Sequence, residues 1–332
     1  ERAPQTSDPC HLHLSPGDDD QLAVQSALLG AAPGSVICLD AGIYDLGDGL
    51  SLGVPGLTFR GAGEGAILDF SSGRGRAPGL EITGDDVTVM GLELRDPRGA
   101  AVRVMGADNV RIDSLRIHWT EPVEEKADGV ALYGASNTRI RNVEVQGAPG
   151  FGLRAHASLR VVIEGSSLHD NEVGLWVEGG TDIEVTGTEF RSNRAGLVLT
   201  TDASGEGERA KIHGNLIEGS GSDQAKADGL AGLGIAVIGP FSAEIHENLV
   251  RSNASAGLFV LPGNEEGERD FFLTVRDNRL VGNGEGNTPD RDIVVTAKEA
   301  SFCFEKNEGS ILAEDVAIDS ACPGPSLPSL SL

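Results

Sequence analysis

Aromatic side chains are scarce in this chain: Phe, Tyr and Trp make up 4% of 332 residues, with two Trp and two Tyr. That supply suits thin strands and tight turns better than a helical bundle packed with large rings. Basic residues are also few, 26 Lys and Arg against 51 Asp and Glu, for a formal net charge of −25. Such a surface repels phosphate backbones and anionic lipids over a Debye length of about 8 Å, which excludes nucleic acid and membrane surfaces as partners. No apolar run is long enough to cross a membrane, so no insertion is expected. The chain opens at Glu1 without a basic-then-apolar region, as expected if an export signal has already been removed. Nucleophilic triads, phosphate-cradling glycine loops and Cys-pair zinc spacings are missing, and no cofactor or metal is expected.

Cysteine is absent from the whole middle of the chain. Cys10 and Cys38 lie near one end, Cys303 and Cys322 near the other. Their spacings suggest two local staples, Cys10 to Cys38 and Cys303 to Cys322, with four unpaired thiols as the alternative. Staples would place the protein in the periplasm or outside the cell. No long Pro/Ser linker interrupts the chain, so one elongated domain is expected rather than two globular ones.

What the sequence does have is glycine, 46 residues, much of it periodic. A Gly followed by apolar, variable, apolar recurs at Gly79-Leu-Glu-Ile82, Gly129-Val-Ala-Leu132, Gly152-Leu-Arg-Ala155, Gly174-Leu-Trp-Val177, Gly196-Leu-Val-Leu199, Gly234-Ile-Ala-Val237 and Gly257-Leu-Phe-Val260. Ala101-Val-Arg-Val104 fits with Ala in place of Gly. The anchors lie about 22 residues apart except where loops intervene, and each segment alternates with the period of a strand. A second strand follows in most repeats, as at Val110–Ile112 and Ile183–Val185, and a third short apolar stretch ends at Ile117, Leu168, Phe190 or Leu280. Three strands per coil predict an all-β right-handed parallel β-helix, a solenoid with one long apolar interior. Asn171, Asn193, Ser220, Asn253 and Asn283 follow the third stretch in one register and predict a ladder of stacked turn amides. A leucine-rich repeat has a similar period but needs Leu-x-x-Leu-x-Leu and a helix-like back, which these β-branched, Gly-rich backs do not match.

The expected organisation is a cap over residues 1–49 with a short helix around Leu22–Leu29 and the first staple, coils over 50–300, a stapled closing segment over 301–322 and a flexible tail over 323–332.

The stretch Pro33-Gly-Ser-Val-Ile-Cys-Leu-Asp-Ala-Gly-Ile-Tyr-Asp-Leu46, then Gly56-Leu-Thr-Phe-Arg-Gly-Ala-Gly63, resembles the start of pectate-lyase-like right-handed β-helix proteins. His169-Asp-Asn-Glu-Val-Gly-Leu175 and Arg191-Ser-Asn-Arg-Ala-Gly-Leu197 are similar to the repeats of carbohydrate-binding and sugar-hydrolase β-helix modules. The resemblance covers nearly the whole chain and implies a fold. It leaves activity open, since the superfamily includes lyases, hydrolases, uronate epimerases, adhesins and accessory proteins. The chain has no Asp-Pro-His-Asp element like that of mannuronan epimerases and no Asp cluster like a pectate lyase calcium site.

Strand alternation points the second and fourth residues after each anchor Gly outward, in columns running along the prism. The middle coils then gather Arg103, Tyr133, Arg154, His156, Trp176 and Glu178 on one face. Abstracting a proton beside a uronate carboxylate needs a cation, a base and a proton donor, roles that Arg154, His156 and Tyr133 would fill respectively. Arg103, Trp176 and Glu178 would bind the sugar chain. The same side chains suit, better than catalysis, a solvated face whose charges pair across strands.

Farther along, Val198, Ile238, Phe259 and Leu261 form an apolar strip suited to docking another exported protein. Two functions therefore stay open. One is polysaccharide binding, extending to lyase or epimerase chemistry; the other is a non-catalytic accessory or structural subunit that docks a partner or self-assembles. His213 and His246 share an outward position in adjacent coils and are expected to be ordinary surface histidines.

Overall fold

The computed structural model describes residues 10–61, 65–120, 126–202, 209–221, 229–261, 272–284, 291–296, 301–313 and 318–319. Among these, strands fall into three parallel sheets of 13, 11 and 10 strands, and each sheet takes one strand from each coil. The 11-stranded sheet, here the anchor sheet, runs from Leu50–Leu52 to Ile311–Ala313 and contains every Gly-anchored strand. The second sheet runs from Leu12–Leu14 to Ile318–Asp319, and the third from Gly42–Asp45 to Arg279–Val281. The solenoid of three strands per coil is the expected architecture.

One coil shows how the sequence specifies it. Leu175 and Val177 from the anchor strand, Ile183 and Val185 from the second and Phe190 from the third all have 0% exposure. Each such side chain contributes roughly 1.5–3 kcal/mol by leaving water. The anchor Gly is needed because the next coil's backbone and a third-strand side chain close over it. A Cβ on Gly174 would stand 2.6 Å from the carbonyl oxygen of Gly196 and 2.7 Å from Phe190 Cδ1.

The expected amide ladder is present. Asn171 donates through Nδ2 to Asn193 Oδ1 at 3.0 Å, and Asn253 does the same to Asn283 at 2.8 Å. Ser220 joins the column through its backbone N–H, which donates to Asn253 Oδ1 at 3.0 Å. A second ladder, not anticipated, occupies another corner: Asn215, Asn248 and Asn278 each donate an amide bond to the next coil's Asn, ending at Asn307. Both columns follow a residue in the left-handed region, as at Ser252 before Asn253 and Glu247 before Asn248, where the chain turns and aims the next side chain inward.

The helix Asp20–Gly30 covers the open start of the anchor sheet. Gln25 accepts the Ser51 N–H at 3.0 Å and Gln21 accepts that of Asp48 at 3.0 Å, satisfying edge groups that would otherwise invite another chain. Tyr44, fully buried beneath this cap, donates to the Leu14 carbonyl at 2.6 Å. Burial, then the charges of Asp40 and Asp20, push its hydroxyl up to about 12. The Cys10–Cys38 staple is formed, with Cα atoms 5.8 Å apart. Cys303 is also disulfide-bonded, whereas Cys322 and the tail from 323 lie outside the described residues.

Asn253→Ala is expected to lower stability by about 2–4 kcal/mol in chemical denaturation, since it strips the acceptor from Ser220 and the donors from the Ile217 carbonyl and Asn283. A loss within about 0.5 kcal/mol would mean that the ladder is not a principal tie between coils.

Candidate functional site

Strand pairing sets the outer face of the anchor sheet. In the second-position column Glu81, Arg103, Ala131, Arg154, Trp176, Val198, Ala236 and Phe259 succeed one another, each paired with the next. Met105, Tyr133, His156, Glu178, Thr200, Ile238 and Leu261 form the fourth-position column in the same way. Both columns run in the order the repeat alignment predicts.

The half of this face nearer the N-terminus is open and polar. Arg103 donates to Glu81 Oε1 through Nη2 at 2.6 Å and Nε at 3.1 Å. Arg154 donates to Glu178 Oε2 at 3.1 Å and to the Tyr133 hydroxyl at 3.4 Å. Its guanidinium lies 5.4 Å from the ring centroids of both Tyr133 and Phe151, within cation–π reach. His156 Nδ1 stands 3.2 Å from the same Glu178 oxygen without the alignment of a hydrogen bond. Trp176 stacks on Phe151 at 5.2 Å between centroids and 24° between planes. The structure therefore brings Tyr133, Arg154, His156, Trp176 and Glu178 together, with Arg103 in a separate pair at the edge.

Asp128 belongs to this cluster and was not anticipated. It accepts the Phe151 N–H at 2.9 Å. Burial pushes its carboxyl above the ordinary value, and the Phe151 N–H and the charges of Arg154 and Lys126 only partly oppose that rise. The position before the anchor Gly is Phe151, Val173, Ala195, Leu233 and Ala256 in the later coils, so an acid there was a visible departure.

The other half of the face is closed. Val173, Ala195, Val198, Leu233, Ala236 and Ala256 form a second apolar cluster outside the sheet, with Leu230, Ile238, Phe259 and Trp176 packed against it. Val198 has 0% exposure, Ile238 and Phe259 are half-buried, and Leu261 is 38% exposed. Of the strip expected to dock a partner, Leu261 is thus the member that faces solvent. Residues 121–125, 203–208, 222–228, 262–271 and 285–290, where loops interrupt the repeat, lie outside the described residues.

His213 and His246 are not a pair of surface histidines, because His246 is only 6% exposed. Their rings stack at 4.9 Å and 9°, and His213 Nε2 meets Glu184 Oε1 at 2.9 Å. Neither ring nitrogen of His246 has a hydrogen-bond partner. Burial, then the charges of Arg276 and His213, hold its pKa below the usual imidazole value. Among the described residues no three His, Cys, Asp or Glu side chains are grouped as a metal site requires.

Comparison with known proteins defines the class. Residues 78–239 match the family model described as "Right handed beta helix region". The chain therefore has the right-handed parallel β-helix fold. Among solved structures it is similar to an alginate lyase from a Paenibacillus species, with 16% identity, TM-score 0.58, and 90% of this chain and 99% of that one covered. It is also similar to the A-module of a mannuronan C-5 epimerase from Azotobacter vinelandii, at 14% identity and TM-score 0.63, covering 91% and 88%. A Streptococcus pneumoniae surface protein and adhesin aligns at 14% identity and TM-score 0.61, covering 93% and 96%. These likenesses are of fold. No curated protein matches by sequence.

Two pH predictions follow from the shifted groups. Asp128 holds its proton more tightly when folded, so stability falls as pH rises through its raised folded value, and the cost is carried above that value. Asp128→Asn keeps an acceptor for Phe151 and should raise Tm at pH 7, with the gain fading below about pH 4; equal Tm values at pH 7 would contradict it. His246 resists its proton when folded, so stability falls as pH drops below the ordinary value of 6.5 toward its lowered one. His246→Gln should lose less Tm than wild type between about pH 7 and pH 5.

Proposed function

We propose that this protein binds a polysaccharide chain along the open half of its anchor sheet. The observation that carries the reading is Trp176, an outward indole at the edge of the Tyr133, Arg154, His156 and Glu178 cluster, stacked on Phe151. Flat rings beside hydrogen-bonding groups suit pyranose rings, whose faces are apolar and whose edges carry hydroxyls. Register lines these groups up across successive coils, as a linear polymer requires. An alginate lyase and a mannuronan epimerase among the structural neighbours are compatible with the proposal, though at their identities the likeness carries fold alone. The Cys10–Cys38 disulfide supports a secreted or periplasmic setting.

Lyase or epimerase chemistry would use Tyr133, Arg154 and His156. It would also require Arg154 to serve a substrate carboxylate while already holding Glu178. Binding is therefore the reading the geometry supports best. The accessory-subunit alternative loses much of its motive where the chain's own residues bury the apolar strip.

A glycan array on the intact protein, with Trp176→Ala alongside, tests the proposal. Binding that falls at least about tenfold in the variant, a loss of about 1.4 kcal/mol, would support it. A blank across neutral and acidic glycans would reject it. For any hit, the absorbance of unsaturated sugar ends reports lyase turnover. His156→Ala should abolish such turnover and spare binding if His156 is the base, and unchanged turnover would exclude that role.

A further inference from the structure

We infer that the polysaccharide taken by this face is an uncharged one, and that Glu81 and Glu178 impose the choice. The inference rests on the glycan-binding reading above and concerns the same residues. Among the described residues, each cation of the open face is matched by a carboxylate. Arg103 gives two bonds to Glu81, Arg154 gives one to Glu178, and Lys126 lies near the Asp128 carboxyl. Arg154 is tied from both sides, since it also donates to Tyr133 and spans two aromatic rings. Among the described residues, a uronate carboxylate placed on this face would meet no unshared guanidinium.

It would also meet like charge. Glu178 Oε2 faces both Arg154 and His156, and Glu81 Oε1 takes both bonds from Arg103. The second oxygen of each carboxylate is left to accept from a ligand. Acceptors of that kind suit the hydroxyl donors of a neutral sugar and repel an anionic one. The field of the whole molecule acts in the same sense, with a net charge of −25. The rings of Tyr133, Phe151 and Trp176 supply contact that needs no ligand charge.

The test uses matched polymers that differ only at C6. Oligosaccharides of glucuronan, mannuronan and galacturonan are each compared with their carboxyl-reduced forms, in which the carboxylate has become a hydroxymethyl group. Titration calorimetry on the intact chain should find a carboxyl-reduced form bound at least about tenfold more tightly than its uronate parent, or about 1.4 kcal/mol. The gap should narrow as salt rises from about 0.02 M to 0.5 M. Glu178→Gln removes the repelling charge and frees Arg154, so it should raise uronate affinity several-fold, with Glu81→Gln acting in the same direction at the edge of the site. A uronate form that binds as tightly as its reduced partner would overturn this inference and leave the glycan reading standing. Binding of neither form in any pair would overturn both.

Discussion

Each coil is held to the next by backbone hydrogen bonds parallel to the long axis, and everything on the surface inherits that constraint. A strand in the middle of the anchor sheet pairs with the coil before and the coil after, so its register is set twice. A slip of one residue would turn the interior outward. Register therefore converts sequence distance into spatial order: Arg154 meets Tyr133 across 21 residues and Glu178 across 24 because each lies one coil away. The candidate site needs no dedicated scaffold, since the repeat places its groups side by side.

The same constraint explains how the interior tolerates polar corners. The inward position after the left-handed turn residue is Leu92, Leu115 and Val143 in the early coils, then Ser166, Thr188, Asn215, Asn248 and Asn278. A single Asn there would leave buried donors and acceptors unmet, at about 1–3 kcal/mol for each group. Stacked on its own kind, each amide both donates to and accepts from a neighbour. The other ladder closes on Asp292, which accepts Asn283 Nδ2 at 2.9 Å and the Ser310 N–H at 3.0 Å. A column of amides needs a terminator of different chemistry, and an acid that only accepts supplies one.

The repeat alignment was enough to order both outward columns and to find the ladder at Asn171. The second ladder escaped it because the same corner holds Leu92, Leu115, Val143, Ser166 and Thr188 in the earlier coils, so no Asn recurs there before Asn215. Alternation also says which way a side chain points without saying what lies over it. Val198, Ala236 and His246 all point outward and are nonetheless buried, the first two within an apolar cluster on the outer face and the third with its ring stacked on His213. Asp128 was visible as an acid in an otherwise apolar column, but its significance came from Phe151 and Arg154, which only the folded coil brings near.

Parallel register also governs how an acidic solenoid uses its arginines. Residues of like charge facing one another in adjacent coils repel, so a chain with 51 acids and 26 bases must intersperse the two along its columns. The third sheet does so: Arg95 pairs with Asp69, Arg116 with Glu144, and Arg191 and Arg251 flank Glu218. Glu81 and Arg103 repeat the arrangement on the anchor sheet. Such exposed pairs contribute little stability singly, about 0–1 kcal/mol, yet each commits a guanidinium to its neighbour. Cations engaged in offsetting charge between coils are poorly placed to recruit an anionic ligand. What this surface has to offer a ligand is carboxylate oxygens and aromatic rings, and those are recognition elements for hydroxyls and sugar faces.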